Sequence, residues 1–371
     1  MRILQVIFTL SSGGAERFVT DLTSELAEYK DCSVTLLLLK SDSIPENNFY
    51  RKELSPKVVV KSLGINKTTF RDLLKIYKAI KSEKPDIVHY HLAGMLNILL
   101  LTILLYRKPV YIETIHSDIK AIRGYNWKDR FIKNFCFRFH LVKVCTISNY
   151  NAQQFKKYYH RECDAMIYNA RRAMKPSPLF ETRRKEIECL KNHPDDLVFT
   201  HIGRCCVAKN QKMLTSAFNT FIQNGYQAIL LIIGDGFNST RGKELQNNAC
   251  KNIHFIGEQH DIQDYLLNSD GFCLSSKFEG MPITLIEAFA CGCIPISTPV
   301  SGAIDLIKNE DNGYLSKDYT KEEYLKALEN FAQHHQQIDK NDLKESFHDY
   351  FSIKSCAHQY YTLYTKFSRH E

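Results

Sequence analysis

The sequence lacks several features that would assign its class at once. No apolar run approaches the ~20 residues needed to span a bilayer, and the longest candidate, Leu96 to Leu105, predicts a buried helix instead. The apolar start is interrupted by Gln5 and predicts a first strand, not a signal peptide. No CxxC pair occurs among the 12 cysteines, which excludes a zinc ribbon. We therefore expect reduced, mostly buried thiols in a cytoplasmic protein.

What is present is an ordinary globular composition. The 371 residues are 44% hydrophobic and 24% charged, which is enough chain for two domains. The net charge of +8 is unevenly spread: Arg107 to Lys143 holds nine basic and three acidic residues. Aromatic residues alternate with these charges at Trp127, Phe131, Phe135, Phe137 and Phe139. This basic, aromatic segment predicts a surface for a membrane or an anionic acceptor.

Strand and helix patterns alternate along both halves of the chain, which predicts parallel sheets covered on both faces. The first half is predicted to hold strands at Ile3–Thr9, Ser33–Leu39, Val58–Ser62, Ile87–His91 and Val110–Thr114, with helices at Gly14–Tyr29, 69–82 and 94–106. The second half is predicted to hold strands at Val198–Ile202, Ala228–Ile233, Ile253–Ile256, Gly271–Leu274 and Pro295–Ser297. Arg171 to Pro194 is rich in Lys, Arg and Pro and predicts the linker. An amphipathic helix is expected at Phe351–Phe367.

The most informative stretch runs from Gly271 to Gly302. It reads as a strand, a loop, a helix over Ile283–Ala290 and a second strand. The loop holds Glu279 and ends at Pro282, so free N–H groups at the helix start predict a site for a phosphate or another electron-rich oxygen. Glu287 follows Glu279 by eight residues, a little over two helical turns.

This Glu-x7-Glu pattern, followed by Ala288, Gly292, Pro295 and a Pro299-x2-Gly302 turn, resembles the retaining nucleotide-sugar glycosyltransferases of family 4. The resemblance implies the GT-B fold, an α/β architecture of two Rossmann-like, doubly wound parallel-sheet domains facing a central cleft. We expect the acceptor domain at 1–175 and the donor domain at 190–350. The C-terminal helix, 351–371, is expected to pack back on the first domain.

Other motifs support the resemblance. Gly13-Gly14, in GGAER, resembles the loop that contacts donor phosphate and acceptor, and His116 matches a histidine that hydrogen-bonds the donor sugar. Arg204 and Lys209 resemble a G-R-x4-K-N pair that clamps the diphosphate, although Cys205 to Ala208 differs from the usual Pro-Glu step. Two cations at this spacing can neutralise two phosphates.

By resemblance, Glu279 and His116 are catalytic: Glu279 contacts the sugar and stabilises positive ring character, and Glu287 holds the ribose hydroxyls. The resemblance leaves open whether Glu279 is a nucleophile or the acceptor attacks from the leaving-group face. Donor binding is assigned to Gly13, Gly14, Arg204, Lys209, Gly234, Gly257, Gly280, Met281, Pro282, Ile283, Thr284, Leu285 and Glu287.

We expect no cofactor and no metal. No D-x-D triplet occurs, and the His89-x-His91 pair has no visible third ligand and resembles a structural feature of the family. Instead, Arg204, Lys209 and the N–H groups around Ile283 to Leu285 are expected to stabilise the departing diphosphate.

The predicted function is transfer of a sugar from a nucleoside diphosphate donor, with UDP favoured, to a glycan or lipid-linked saccharide in bacterial surface polysaccharide synthesis. The protein is expected in the cytoplasm, with peripheral contact at the inner face of an anionic plasma membrane. No nucleic-acid partner is expected. Two alternatives remain at this stage: a noncatalytic nucleotide-sugar-binding or scaffold subunit, and another GT-B activity such as an epimerase or a phosphorylase.

Overall fold

The computed structural model describes residues 1–119 and 127–368. The chain divides into two compact units. Unit 1 is Met1–Arg172 together with the chain from Tyr350 onward, and unit 2 is Ala173–Asp349. No helix in the described ranges is long and apolar enough to cross a membrane.

Unit 1 is built on a seven-stranded, wholly parallel sheet of order β3-β2-β1-β4-β5-β6-β7. Its strands are β1 Arg2–Ile7, β2 Ser33–Leu38, β3 Val59–Ser62, β4 Ile87–His91, β5 Val110–Ile115, β6 Lys143–Thr146 and β7 Ala165–Met166. Its helices are α1 Gly14–Leu26, α2 Phe70–Glu83, α3 Met95–Leu105, α4 Trp127–Arg138, α5 Asn149–Tyr159 and, from the end of the chain, α14 Ile353–Ser368. Short 3₁₀ turns lie at Pro45–Asn48 and Arg51–Glu53.

The central strands of unit 1 are buried on both faces because helices cover both sides of the sheet. All five residues of β4 are buried, and β1 is buried from Ile3 to Ile7. The strands predicted in this half are confirmed to within two residues at each end. α2 begins where a capping box forms, with Thr69 and Asp72 each bonding the other's backbone N–H.

The basic, aromatic segment is only partly a surface. Phe137 is buried against Phe155 and Tyr159, so its predicted place on that surface is wrong. Lys133 is also buried and pairs with Asp129 at 3.1 Å. Residues 120–126, with two of the predicted basic positions, lie outside the described residues.

α14 belongs to unit 1. Tyr360 and Tyr364 are buried on this helix, and the Tyr361 hydroxyl donates to Asp31 at 2.6 Å. At the first residue of this helix, Ile353 N–H donates to the Arg171 carbonyl at 2.9 Å. The end of the first segment of unit 1 and the start of its second segment are therefore hydrogen-bonded to each other.

Unit 2 is built on a six-stranded parallel sheet of order β10-β9-β8-β11-β12-β13. Its strands are β8 Leu197–Ile202, β9 Ala228–Ile233, β10 Ile253–Gly257, β11 Gly271–Leu274, β12 Ile294–Ser297 and β13 Tyr314–Leu315. Its helices are α6 Phe180–Leu190, α7 Gln211–Gln223, α8 Thr240–Asn247, α9 Ile262–Leu267, α10 Ile283–Cys291, α11 Ser301–Leu306, α12 Lys321–His334 and α13 Lys340–Ser346. A 3₁₀ turn at His335–Gln337 follows α12, and a π-helical turn at Phe347–Phe351 precedes α14.

The predicted linker contains a helix. α6 occupies Phe180–Leu190 inside the segment that the sequence assigns to a linker, so that assignment is wrong there. Of its residues only Ile187 is buried, which explains the weak apolar pattern. Instead, Arg183 holds α6 to unit 2 through an ion pair with Asp261 at 2.9 Å.

The buried ion pair of Asp21 and Arg171 gives a stability prediction for unit 1. Both side chains are at most 2% exposed. Asp21→Ala removes the buried carboxylate that pairs with both Arg171 and Arg172, and should lower the free energy of unfolding by about 3–5 kcal/mol. Urea denaturation followed by circular dichroism measures this. Lys57→Ala, which removes an exposed ion pair with Glu28, should leave the midpoint unchanged; an equal loss in both variants would contradict the prediction.

Candidate functional site

The strand order of unit 2 predicts where a ligand binds. β8 and β11 are neighbours in the sheet, but the chain leaves β8 toward β9 on one side and leaves β11 toward β12 on the other. A crevice opens at the carboxyl ends of two such strands, and ligands of open α/β sheets bind there. Arg204 and Lys209 follow β8, and Glu279 follows β11.

The loops after these two strands are bonded to each other. Lys277 N–H donates to the Ala208 carbonyl at 2.8 Å, and the Ser275 hydroxyl donates to the Lys209 carbonyl at 2.8 Å. The backbone around Lys209 is therefore fixed by the loop that carries Glu279.

Lys209 and Glu279 form an ion pair at the centre of this crevice. Lys209 Nζ lies 2.7 Å from Glu279 Oε1, and the Ser276 hydroxyl donates to the same oxygen at 2.7 Å. The two charged side chains are 21% and 18% exposed. Glu279 Oε2 accepts no hydrogen bond from the described residues. One carboxylate oxygen is held and the other remains available to a ligand.

Arg204 lies in the loop after β8 and is exposed, and no carboxylate of the described residues lies within ion-pair distance of it. Its backbone is held, since Gln211 Nε2 donates to the Arg204 carbonyl at 2.8 Å. The crevice therefore has one cation already paired with Glu279 and a second that is unpaired.

The start of α10 forms the third part of the crevice. The Ser301 hydroxyl donates to the carbonyls of Glu279 and of Gly280, the latter at 2.8 Å, which orients the loop before the helix. A Cβ on Gly302 would lie 2.7 Å from Met281 Cα and from Pro282 Cδ. Only glycine at this position allows so close an approach of α11 to the loop.

The N–H groups at the start of α10 are predicted to be available to an anion, and the structure agrees for two of the three. Those of Ile283 and Thr284 have no carbonyl partner in the described ranges, but Leu285 N–H already donates to the Pro282 carbonyl at 3.2 Å. The expectation that Leu285 offers its N–H to an anion is therefore wrong. Thr284 Oγ1 is buried and has no hydrogen-bond partner among the described residues. Glu287, 2% exposed, lies one turn further along this helix.

The ends of β9 and β10 border the same sheet edge. Gly234 N–H donates to the Gly257 carbonyl at 2.9 Å, and Gly203 N–H donates to the Ile233 carbonyl at 2.9 Å. Gly234 has a φ of 145°, and a Cβ there would lie 2.3 Å from the Gly203 carbonyl oxygen. These glycines let three strand ends approach closely beside the Arg204 loop.

In unit 1 the predicted site residues lie at the ends of β1 and β5. Gly13 and Gly14 lead into α1, and the Glu16 carboxylate lies against Gly13: a Cβ there would lie 2.2 Å from Glu16 Oε2. The Glu16 side chain is flexible and the backbone of Gly13 is extended, so this contact does not by itself require glycine at position 13. Gly14 is the first residue of the helix.

His116 comes directly after β5. Its Nε2 lies 2.9 Å from His91 Nδ1, and its ring packs on Phe18 at 5.2 Å between centroids. Burial lowers the pKa of His116 to about 3, and hydrogen bonding with Asn169 opposes that shift. The imidazole is therefore neutral near pH 7.

His89 and His91 are fully buried and hydrogen-bonded to protein groups. His89 contacts Tyr364 and Thr114, and His91 contacts Gln5 and His116. Within the described part of the chain, no cluster of three or more His, Cys, Asp and Glu side chains could hold a metal ion.

Two family models match the two halves of the chain. The one described as "Glycosyltransferase Family 4" matches residues 12–170, and the one described as "Glycosyl transferases group 1" matches residues 182–346. The chain belongs to the family 4 glycosyltransferases. It is a glycosyltransferase enzyme, as the sequence predicts.

Two relatives resemble this glycosyltransferase over most of their length. The UDP-Gal:alpha-D-GlcNAc-diphosphoundecaprenol alpha-1,3-galactosyltransferase of Escherichia coli is 26% identical over 273 residues, covering 70% of this chain and 69% of its own. The GalNAc-alpha-(1->4)-GalNAc-alpha-(1->3)-diNAcBac-PP-undecaprenol alpha-1,4-N-acetyl-D-galactosaminyltransferase of Campylobacter jejuni is 24% identical over 326 residues, covering 85% and 84%.

Solved structures establish the fold of the glycosyltransferase. The Anabaena protein HepE, crystallised with UDP and glucose, superposes with a TM-score of 0.80 at 18% identity, covering 98% of this chain and 99% of HepE. The predicted GT-B class is confirmed.

Sequence reasoning missed several residues that shape the crevice of the glycosyltransferase. Ser276 and Ser301 hold Glu279 and its loop, and Gln211 holds Arg204. Ser276 follows a buried strand just before Glu279, which is a signal that could have been used. Nothing near Ser301 or Gln211 in the sequence marks their partners, because both side chains bond backbone carbonyls, which every residue carries.

Below the crevice, His201 on β8 gives a prediction for pH-dependent stability. It donates from Nδ1 to the Cys273 carbonyl at 2.9 Å, and burial lowers its pKa from 6.5 to about 4. Between these values the unfolded chain binds a proton that the native state does not, so stability falls as pH drops from about 6.5 toward 4.

The measurement compares urea midpoints at pH 7 and pH 5. His201→Gln should show a smaller drop between the two than the wild type. The exposed His193→Gln serves as control and should keep the wild-type drop. An undiminished drop in His201→Gln would show that the proton is taken up elsewhere.

Proposed function

We propose that this enzyme transfers a sugar from a UDP-sugar, with retention of anomeric configuration, to a glycan or lipid-linked saccharide in bacterial surface polysaccharide synthesis. The observation that carries the proposal is the Lys209–Glu279 pair at the carboxyl ends of β8 and β11, beside the unpaired Arg204. The E. coli and C. jejuni relatives are named for transfer to undecaprenyl diphosphate-linked acceptors. HepE was crystallised with UDP and glucose.

The charges of the crevice match a nucleoside diphosphate. Arg204 and Lys209 supply two cations, and the N–H groups of Ile283 and Thr284 supply donors for an oxyanion. In this proposal the diphosphate takes Lys209 as a partner alongside Glu279, and the same groups stabilise the leaving UDP as its charge develops. Because side chains provide this stabilisation, we propose that transfer needs no metal ion.

The second carboxylate oxygen of Glu279, Oε2, is proposed to have a different role from Oε1. With Oε1 held by Lys209 and Ser276, Oε2 is the oxygen proposed to contact the donor sugar and stabilise positive charge on its ring. Glu287 is proposed to accept hydrogen bonds from the ribose hydroxyls, and Gly234 and Gly257 to line the nucleotide pocket. His116 and the Gly13–Gly14 loop of unit 1 are proposed to contact the donor as well.

The donor assignment is tested by thermal shift and donor hydrolysis with UDP-, GDP- and ADP-sugars. We expect stabilisation by UDP-sugars. Arg204→Ala should weaken UDP affinity by roughly tenfold to a hundredfold, since it removes a charge-assisted hydrogen bond. Glu279→Ala should keep UDP binding but lower the transfer rate by about a hundredfold or more.

Lys212→Ala is the control for the donor test. It removes an exposed cation on α7 that pairs with Glu244, and should leave affinity and rate unchanged. A protein whose melting temperature does not respond to any nucleotide or nucleotide sugar at millimolar concentration would overturn the donor assignment.

We further propose that the protein acts in the cytoplasm and contacts the inner, anionic face of the plasma membrane through one side of α4. Four aromatic residues spaced four apart, here called the aromatic face, are exposed there: Trp127, Phe131, Phe135 and Phe139. Arg130 and Arg138 are exposed beside them without an acidic partner among the described residues. Apolar side chains beside unpaired cations fit an anionic lipid surface.

Sedimentation with liposomes containing anionic lipid tests this contact. Phe131→Ser combined with Phe135→Ser should lower the bound fraction by about tenfold or more, because each phenylalanine loses the gain from apolar burial. The control is Phe70→Ser on α2, since Phe70 and Phe131 are each 67% exposed. Protein that stays in the supernatant at low salt, or equal losses in both variants, would remove the proposal.

A further inference from the structure

A continuous chain of hydrogen bonds runs through the interior of unit 1. Its members come from β1, β4, β5, β6 and α14, and each is at most 1% exposed apart from His116 at one end. In order from the other end they are the Thr146 carbonyl, Cys145, Tyr360, Thr114, His89, Tyr364, Gln5, His91 and His116. The function proposed above uses only the last of them.

The first hydrogen bond fixes the direction in which protons are donated along this network. A carbonyl oxygen only accepts, so the Cys145 thiol donates to the Thr146 carbonyl, at 3.7 Å. Burial raises the pKa of Cys145 to about 12, which keeps its proton in place. The sulfur has then used its proton and accepts from the Tyr360 hydroxyl at 3.4 Å.

Each following group has one proton to give and so passes the direction on. Because the Tyr360 proton is given to Cys145, its oxygen accepts from the Thr114 hydroxyl at 3.0 Å. Thr114 in turn accepts from His89 Nε2–H at 2.7 Å. His89 is neutral, since burial lowers its pKa, so its Nδ1 carries no proton and accepts from the Tyr364 hydroxyl at 2.6 Å.

Gln5 passes the same direction of hydrogen-bond donation on to His91 and His116. Tyr364 has given its proton to His89, so its oxygen accepts from Gln5 Nε2 at 3.2 Å. The amide oxygen of Gln5 therefore points to His91 and accepts from His91 Nε2–H at 2.8 Å. His91 Nδ1 is left without a proton, and it accepts from His116 Nε2–H at 2.9 Å.

We infer that this one-directional chain holds His116 in the tautomer protonated at Nε2, so that His116 Nδ1 meets the substrate as a hydrogen-bond acceptor. Gln5, His91 and Cys145 are positioning residues in this account, because they act on the substrate only through His116. The inference rests on the proposed function for the claim that His116 contacts the donor. It adds which nitrogen makes the contact and what decides its proton.

Two features of His116 agree with an acceptor aimed at a ligand. Its Nδ1 atom is buried and has no direct hydrogen-bond partner among the described residues, and the side chain whose hydrogen bonding raises the pKa of this imidazole is Asn169. The ring is otherwise fixed by Phe18 and His91. A sugar hydroxyl, which can donate, would satisfy Nδ1, whereas a carbonyl or carboxylate oxygen would not.

The tautomer is measured directly by long-range nitrogen–proton correlation NMR on protein labelled with nitrogen-15 in histidine, because protonated and unprotonated ring nitrogens resonate far apart. His116→Gln assigns the signal among the 14 histidines. We expect a single His116 tautomer with its proton on Nε2. A His116 protonated on Nδ1 in the wild type would overturn the inference without any variant.

The matched pair Cys145→Ala and Cys145→Ser tests whether the chain sets the tautomer. Alanine removes the acceptor of the Tyr360 proton, so the direction is no longer fixed and both tautomers of His116 should appear. Serine can donate to the Thr146 carbonyl and accept from Tyr360, and should restore the single tautomer. A wild-type spectrum for folded Cys145→Ala would show that the chain does not control His116.

Kinetics separate this inference from the proposed function. In an enzyme active with a UDP-sugar, Cys145→Ala should lower kcat/KM for the donor by roughly fivefold, the value of one ordinary hydrogen bond, and Cys145→Ser should restore it. Wild-type protein inactive with every donor would contradict the proposed function while the tautomer result stands. Active Cys145→Ala with mixed tautomers and unchanged kcat/KM would contradict the role of Nδ1 as the acceptor.

Discussion

The position of the site follows from one constraint on parallel sheets. Where the strand order reverses, the loops after two adjacent strands turn to opposite sides and leave the carboxyl ends of both strands open. In unit 2 this happens between β8 and β11, and in unit 1 between β1 and β4. Lys209 and Glu279 are 70 residues apart in sequence, yet the reversal brings their loops together and backbone hydrogen bonds hold them there. The ion pair of Lys209 and Glu279 therefore depends on the reversal of strand order between β8 and β11.

Much of this arrangement could be predicted from sequence because the strands are buried on both faces and read as continuous apolar runs. The Gly271–Gly302 stretch forms the predicted strand, loop, helix and strand, and Pro282 caps the start of α10. The helix at Phe180–Leu190 could not be predicted in the same way, since one buried residue gives no periodicity and ion pairs hold it instead.

Contacts that depend on tertiary structure could not be predicted from the sequence. The family resemblance put Glu279 and Lys209 in one site, but it did not reveal that they pair with each other. It also did not reveal that Leu285 N–H is already used, or that the Glu16 carboxylate lies against Gly13. Each of these depends on a side-chain or turn geometry that the surrounding fold decides.

In unit 1, buried hydrogen bonds connect the predicted site residue His116 to the core of the unit. His116 stands at the surface end of a row of buried polar groups that includes two tyrosines of the C-terminal helix. Buried polar groups are costly unless each is hydrogen-bonded, and here each satisfies the next. The helix α14 therefore contributes to the site of unit 1 as well as to its packing.

The most direct test of the account is a crystal structure of the protein with UDP. We expect the diphosphate at the carboxyl ends of β8 and β11, with its oxygens bound to Arg204 and Lys209 and with the ribose hydroxyls bound to Glu287. UDP bound elsewhere in unit 2, or bound with Lys209 contacting Glu279 alone and no phosphate, would contradict it.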